Sequence, residues 1–254
     1  MRMKEVARTR VMTIAEMAKA TPIRINKQGQ ALGRKGHQTR ERLMNAARRL
    51  LSSQSPVELT AVAIARVAKT SSPTFYIYFN DIRDLLLSLG EAAGADFVEV
   101  HRILEEPWDP DNVEQGHAQR VVDAFNSGWN RHRDVLRFRN LEADRGDRAF
   151  AEQRIHQSVR IIDRFAERIL AAYPKDDRRP RGHAYAEAAI LHAAMESIAA
   201  TDPVHVEQWQ IGAARLASVM ATMLARSFSA HPAPTTASNP PAGGRKKASQ
   251  GTKR

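Results

Sequence analysis

A chain of 254 residues with 43% hydrophobic side chains is long enough to bury a substantial core, which excludes a wholly disordered protein. It has no cysteine, so a disulfide scaffold and a thiolate zinc or iron–sulfur site are also excluded. The net charge of +11 is uneven: residues 1–40 carry ten Lys or Arg against two Glu, residues 231–254 carry five basic residues and no acid, and the body between is nearly neutral. Two basic ends on a near-neutral body suit arms that seek a polyanion, although basic ends also serve solubility alone. No stretch has the continuous apolar length of a signal segment or a membrane span, so the expected location is cytoplasmic.

In chain order, residues 1–38 read as a flexible basic arm, with a short helix around Glu5 to Lys19 and then Gly29, Gly33 and Gly36 among basic and amide residues. Thr39 is a cap for a helix to about Ser53, with Leu43, Ala46, Ala47, Leu50 and Leu51 on its inner face. Pro56 interrupts, and Thr60 caps a short helix ending near Ala68. Ser71 caps a third helix with Pro73 at its second position, where the amide has no intrahelical acceptor to lose. Asp81 caps the next, with Asp84 three residues on as a capping-box carboxylate. Long amphipathic helices follow over Asn112–His132, His132–Asp144, Asp147–Tyr173, Gly182–Thr201 and Val204–Phe228, separated by PWDPD, RGD, PKDDRRP and TDP. About nine helices result, and TFYIYF is assigned to a helix despite its β propensity because caps stand on both sides of it. The expected fold class is all-α. Residues 39–85 form a three-helix helix-turn-helix domain, residues 86–230 a larger helical effector-binding and dimerisation domain, and residues 231–254 a disordered basic tail.

Two seven-residue helices joined by a three-residue turn have the dimensions of a helix-turn-helix, whose second helix can enter the DNA major groove. That orientation turns Ser71, Ser72 and Thr74 toward the duplex, and brings the Tyr76 hydroxyl to its backbone. Phe75 and Phe79, four apart, point inward, and Ser71 is equally explained as a cap alone.

The pattern TREXLXXAAXXL at 39–50, the cap Thr60, IAXXA at 64–68 and SXXTFYXYF at 71–79 together resemble the DNA-binding domain of the TetR family of bacterial repressors. VLRFRNLEADRGDRAF, residues 135–150, is similar to a stretch in the ligand-binding domains of a subset of that family. The resemblance implies a homodimer on a palindromic operator, released when a small effector enters the larger domain. It implies phosphate contacts from Thr60 and Tyr76 and recognition-helix positions for Thr74 and Phe75. Two departures stand out: Ser72–Pro73 replaces a common lysine–glycine pair, and Lys69 replaces the glycine of the turn. Arg34, Lys35 and Arg40 are the candidates to replace the missing cationic contact.

In the body, Phe125, Trp129, Phe138, Phe165 and Trp209 can wall a pocket with His156, His192 and Gln208 as polar anchors; each aromatic is equally an ordinary core residue. Alanine-rich Gly182–Thr201 and the helix bearing Leu216, Val219, Met220, Met223 and Leu224 can pair across a two-fold axis. No metal-ligand spacing, nucleophile elbow or glycine-rich phosphate loop occurs, so no catalytic residue, metal ligand or cofactor is assigned. The expectation is a DNA-binding regulator and not an enzyme, the alternative being an all-helical protein-interaction adaptor.

Overall fold

The computed structural model describes residues 32–53, 59–113, 115–173, 181–208 and 210–230. The expected helix at Glu5–Lys19, the basic segments 1–31 and 231–254, and Trp209 lie outside the described residues. Among the described residues there are ten α-helices and no strand. They are α1 Arg34–Ser53, α2 Ala61–Val67, α3 Ser72–Tyr78, α4 Ile82–Ala95, α5 Val98–Glu105, α6 Gln115–Asp144, α7 Arg148–Ala172, α8 Arg181–Ala200, α9 Pro203–Gln208 and α10 Ala213–Phe228.

Three helices, one of 20 residues and two of seven, open the fold, and the starts of α2, α3 and α4 have local causes. Thr60 caps α2 by accepting from Ala63 N at 3.1 Å, Ser71 caps α3, and Asp81 caps α4 by accepting from Asp84 N at 2.7 Å. Asp84 reaches back to Asn80, accepting from its backbone N at 2.9 Å, which closes the reciprocal bond one residue earlier than the usual capping box. One expectation is corrected. Thr39 does not cap α1; the helix starts at Arg34, and the Thr39 hydroxyl donates to Lys35 O at 3.0 Å. Gly36 lies inside that first turn, and a Cβ there would come within 2.9 Å of the Leu32 side chain. Its bareness lets Leu32 lie across the helix start.

The core is continuous from this domain into the body. Leu43, Ala46 and Ala47 of α1 meet Ile64 of α2, Phe75 of α3 and Phe79 just after it, all essentially inaccessible. Central to the body is α6, which packs against α1, α4, α5, α7, α8 and α10. It bends at His132 (φ −125°, ψ 18°), the expected junction of two helices, where His132 Nε2 and Asp96 Oδ2 stand 2.6 Å apart. The single helix expected over Val204–Phe228 is instead two, α9 and α10: the chain leaves α9 with Gln210 at φ 57°, its N donating to Glu207 O at 2.9 Å, and enters α10 through Gly212 at φ +79°.

Helix α4 joins the short domain to the body, and polar groups hold it at several levels. At its start, Arg83 Nε and Nη2 each donate to Asp147 at 2.7 Å, while Asp147 also caps α7. In its second half, Gln153 and Gln157 of α7 lie over Gly90 and Gly94, where a Cβ would stand only 2.1 Å from each amide. Gln153 Nε2 donates to Leu87 O at 2.9 Å and Gln157 Nε2 to Gly90 O at 3.0 Å. Gln157 Oε1 accepts from Arg139 Nη1 of α6, and Arg139 Nη2 donates to Glu196 Oε1 of α8 at 3.2 Å. One chain of hydrogen bonds thus runs through α8, α6, α7 and α4. Glu196 also accepts from Asn140 Nδ2 at 3.1 Å and Arg154 Nη2 at 3.2 Å. Burial alone would raise the Glu196 pKa, but the Asn140 hydrogen bond and the charges of Arg154, Arg139 and His192 lower it overall. Burial pulls Arg139 down to about 10, against the opposing attraction of Glu196.

Candidate nucleic-acid interface

The turn between α2 and α3 is built from the end of α2. Lys69 N donates to Arg66 O at 3.1 Å and Thr70 N to Ala65 O at 2.9 Å, the paired bonds of a Schellman motif. Lys69 itself sits at φ 54°, in the left-handed region where a glycine is the usual occupant. The turn geometry therefore survives the substitution, at the cost of holding a side-chain-bearing residue there.

On α3 the sequence partitions cleanly. Phe75 and Phe79 face the core, their ring centroids 5.6 Å apart, while Ser72, Pro73, Tyr76 and Ile77 form the outward strip. Tyr76 is 48% exposed and keeps its ring edge-on to Phe75 at 5.2 Å, so the ring is anchored and the outer part free. Ser71 Oγ accepts from Thr74 N at 3.4 Å and lies 2.9 Å from Thr74 Oγ1. These hydroxyls engage each other at the helix start, with Ser71 exposed and Thr74 half-buried. Thr60 is exposed at the start of α2, and Arg34 and Lys35 are exposed on the first turn of α1.

Two of the residues put forward for DNA do not face outward. Phe75 is completely buried, because the spacing that places it in the recognition helix also places it on the core face. Arg40 is half-buried, its guanidinium 5.1 Å from the Phe79 ring centroid and donating to Met44 Sδ at 3.0 Å, and burial lowers its pKa. Arg66 and Lys69, exposed at the end of α2 and in the turn, are cations that the sequence reading did not assign. In the sequence Lys69 stands out only as the absence of a glycine.

The proposed pocket residues separate into different places. Phe125 and His192 meet edge-to-face at 5.9 Å, Phe138 meets Phe150 at 5.6 Å, and Phe165 meets Phe228 at 5.4 Å. Trp129 is buried in the same core, but His156 and Gln208 are exposed and do not anchor a pocket with these rings. The reason is angular: Gln153, Gln157 and Ile161 mark the inward face of α7, and His156 stands about 100° away from Gln157. A cleft of about 390 Å³ lies elsewhere, at the α5–α6 connection, lined by residues including Glu106, Trp108, Asp109 and His117. There the Trp108 and His117 rings stack at 4.1 Å, and Glu106 is paired with Arg102 and Arg120. Among the described residues, no group of three His, Asp or Glu could hold a metal ion, and no helix is long and apolar enough to cross a membrane.

Comparison with known proteins bears on this geometry. Residues 43–89 match the family described as bacterial regulatory proteins, tetR family, and residues 102–231 match the tetracyclin repressor-like C-terminal domain. Among solved structures, the fatty acid degradation regulator FadR from Bacillus halodurans is similar at a TM-score of 0.58 and 14% identity, over 77% of this chain and 96% of that one. A tetR-family transcriptional regulator from Streptomyces coelicolor has the same TM-score at 18% identity, over 77% and 82% of the two chains. FadR from Bacillus subtilis, solved in complex with stearoyl-CoA, gives 0.55 at 14% identity, over 74% and 97%. At such identities these likenesses speak for the fold alone. No curated protein matches the chain significantly. The helix-turn-helix, the helical body behind it and the two family matches agree: the chain belongs to the TetR family of DNA-binding bacterial transcriptional regulators.

Proposed function

We propose that this regulator is an effector-responsive repressor, acting in the cytoplasm as a homodimer on a palindromic operator. The observation that carries the reading is the α2–turn–α3 unit, which leaves Pro73, Tyr76 and Ile77 of α3 and the cations Arg66 and Lys69 open to solvent. A two-fold pair presents that strip to successive major grooves, about 34 Å apart on one face of the duplex. Thr60, Ser71, Ser72, Thr74 and Tyr76, with Arg34 and Lys35, supply the contacts in this reading. The division near residue 85 leaves the remaining helices for the effector and for pairing.

Support for pairing comes from α8 and α10, which lie side by side and leave Ile190, Val219 and Met223 at 68%, 53% and 46% exposure. Leu191, Met195, Met220 and Leu224 on the same helices fill their own subunit's core, so the pairing face is narrower than the sequence pattern implies. Support for an effector response comes from the hydrogen-bond chain joining Glu196 in α8 to Gly90 in α4. A ligand that displaces any link changes how α4, and the helix-turn-helix before it, sits on the body.

Fluorescence anisotropy with duplexes from the protein's own upstream region, read at several salt concentrations, tests the proposal. Saturable binding by a dimer is expected, with log K falling by about 0.9 per phosphate contact for each decade of salt. Equal affinity for every duplex sequence, or a monomer by sedimentation at the binding concentration, would refute it.

A further inference from the structure

The sequence of α3, SPTFYIY, contains no charged side chain, no amide and no imidazole. In the major groove guanine is read by Arg or Lys, adenine by Asn or Gln, and cytosine by a carboxylate. None of those groups is available on this helix. The amide next in the chain, Asn80, is committed to Asp84, with Nδ2 donating at 3.0 Å. The hydroxyls of Ser71 and Thr74 are engaged with each other, which leaves one O–H between them for a phosphate oxygen and none placed on a base edge. What α3 offers outward, beside the hydroxyls of Ser72 and Tyr76, is apolar: Pro73 is exposed, and Ile77, one turn later on the same side, is 41% exposed. The core does not require them there, since Phe75 and Phe79 fill it from the opposite face.

Among base edges in the major groove, the thymine 5-methyl is the group that an apolar side chain contacts favourably. We infer that α3 selects its half-site by seating thymine methyl groups against Pro73 and Ile77, while the surrounding hydroxyls and cations hold the phosphates and supply affinity. The inference rests on the DNA-binding reading above and adds to it the chemistry of base selection. Such a site reads hydrophobic surface where most recognition helices read hydrogen bonds, so its partner is a half-site with thymine at the positions under α3.

The test uses the full chain and duplexes it selects from a random pool at fixed salt. Thymines of the recovered half-site are replaced one at a time by deoxyuridine, which removes the methyl and nothing else. Burial of one methyl corresponds to about a fourfold loss of affinity at each contacted thymine. The salt slope should stay unchanged, because no phosphate contact is lost. Ile77→Ala should then bring the thymine-to-uracil ratio at one position close to one and leave the others as they were. Ile77 is at the surface, so this variant should melt as the parent does, and the uracil comparison on the unaltered protein stands without it. If every deoxyuridine duplex binds as tightly as its parent, methyl readout is refuted while sequence-specific binding stands. If uracil costs affinity but Ile77→Ala leaves every ratio unchanged, the assignment to Ile77 is refuted. If selection recovers no sequence preference, this inference and the DNA-binding reading fall together.

Discussion

Replacing Glu196 by glutamine would leave its shape and remove the one anion inside the polar chain. Arg139 and Glu196 are 3% and 8% exposed, so little water can compensate the cation that remains. The glutamine also brings an amide donor into a site where Arg139, Asn140 and Arg154 all donate. Breaking a buried ion pair by removing one partner costs about 3–5 kcal/mol. Arg139 keeps acceptors in Asn140 Oδ1, at 3.0 and 2.8 Å, and in Gln157, which places the expected loss at the low end, about 3 kcal/mol. At about 2–4 °C per kcal/mol for a protein of this size, the midpoint should fall by about 6–12 °C. Thermal and urea unfolding at neutral pH, with protein concentration held constant because pairing would shift the midpoint, measures this directly. A loss below about 1 kcal/mol would show that the carboxylate does not neutralise Arg139 in the folded protein.

Three further outcomes are expected. Lys69→Gly relieves a side-chain-bearing residue at φ 54° and should raise stability by about 1 kcal/mol in urea unfolding, while reducing the salt slope for DNA by about one if the ammonium meets a phosphate. Burial, reinforced by Arg160 and Arg164, pushes His101 down to about 4 from an ordinary value of 6.5. The unfolded chain therefore binds the proton first, and stability present above pH 6.5 should be lost as pH falls toward 4, by up to about 3 kcal/mol. His101→Gln should flatten that part of the stability profile, and an unchanged slope would contradict the burial argument. Arg83→Ala removes the bidentate pair at the start of α4, but with Arg83 side-chain exposure at 51% it should cost less than about 1 kcal/mol in thermal unfolding. A larger loss would show that the Arg83–Asp147 contact does more than an exposed pair can.

The features legible in the sequence were those decided within a few residues. Thr60, Ser71 and Asp81 all cap the helices their neighbours suggest, Pro73 stands at the second helical position, and the bend falls on His132. The start of α1 was missed because the threonine at 39 looks like a cap, while the real first turn contains a glycine that only its contact with Leu32 explains. The break between α9 and α10 has one local signal in the sequence, the lone Gly212 inside an otherwise helical run, while the positive φ of Gln210 has none. The side-chain assignments were harder. Whether Arg40 points at a phosphate or over Phe79, and whether His156 or Gln157 faces inward, depends on a partner helix far along the chain. The Gln153 and Gln157 amides illustrate the limit, since nothing near them in the sequence points to two glycines more than sixty residues earlier.

Those two glycines and two glutamines are each spaced one helical turn apart, like teeth engaging a toothed rail. Sliding α4 along α7 by one turn, about 5.4 Å, would bring Gln153 to the gap at Gly94 but carry Gln157 beyond the last residue of α4, Ala95. A smaller slide would jam both amides against side chains. Translation along the rail is therefore blocked in small steps, and the movement left to α4 is a swing about its meshed second half, which converts a small tilt in the body into a larger sweep at its first residues.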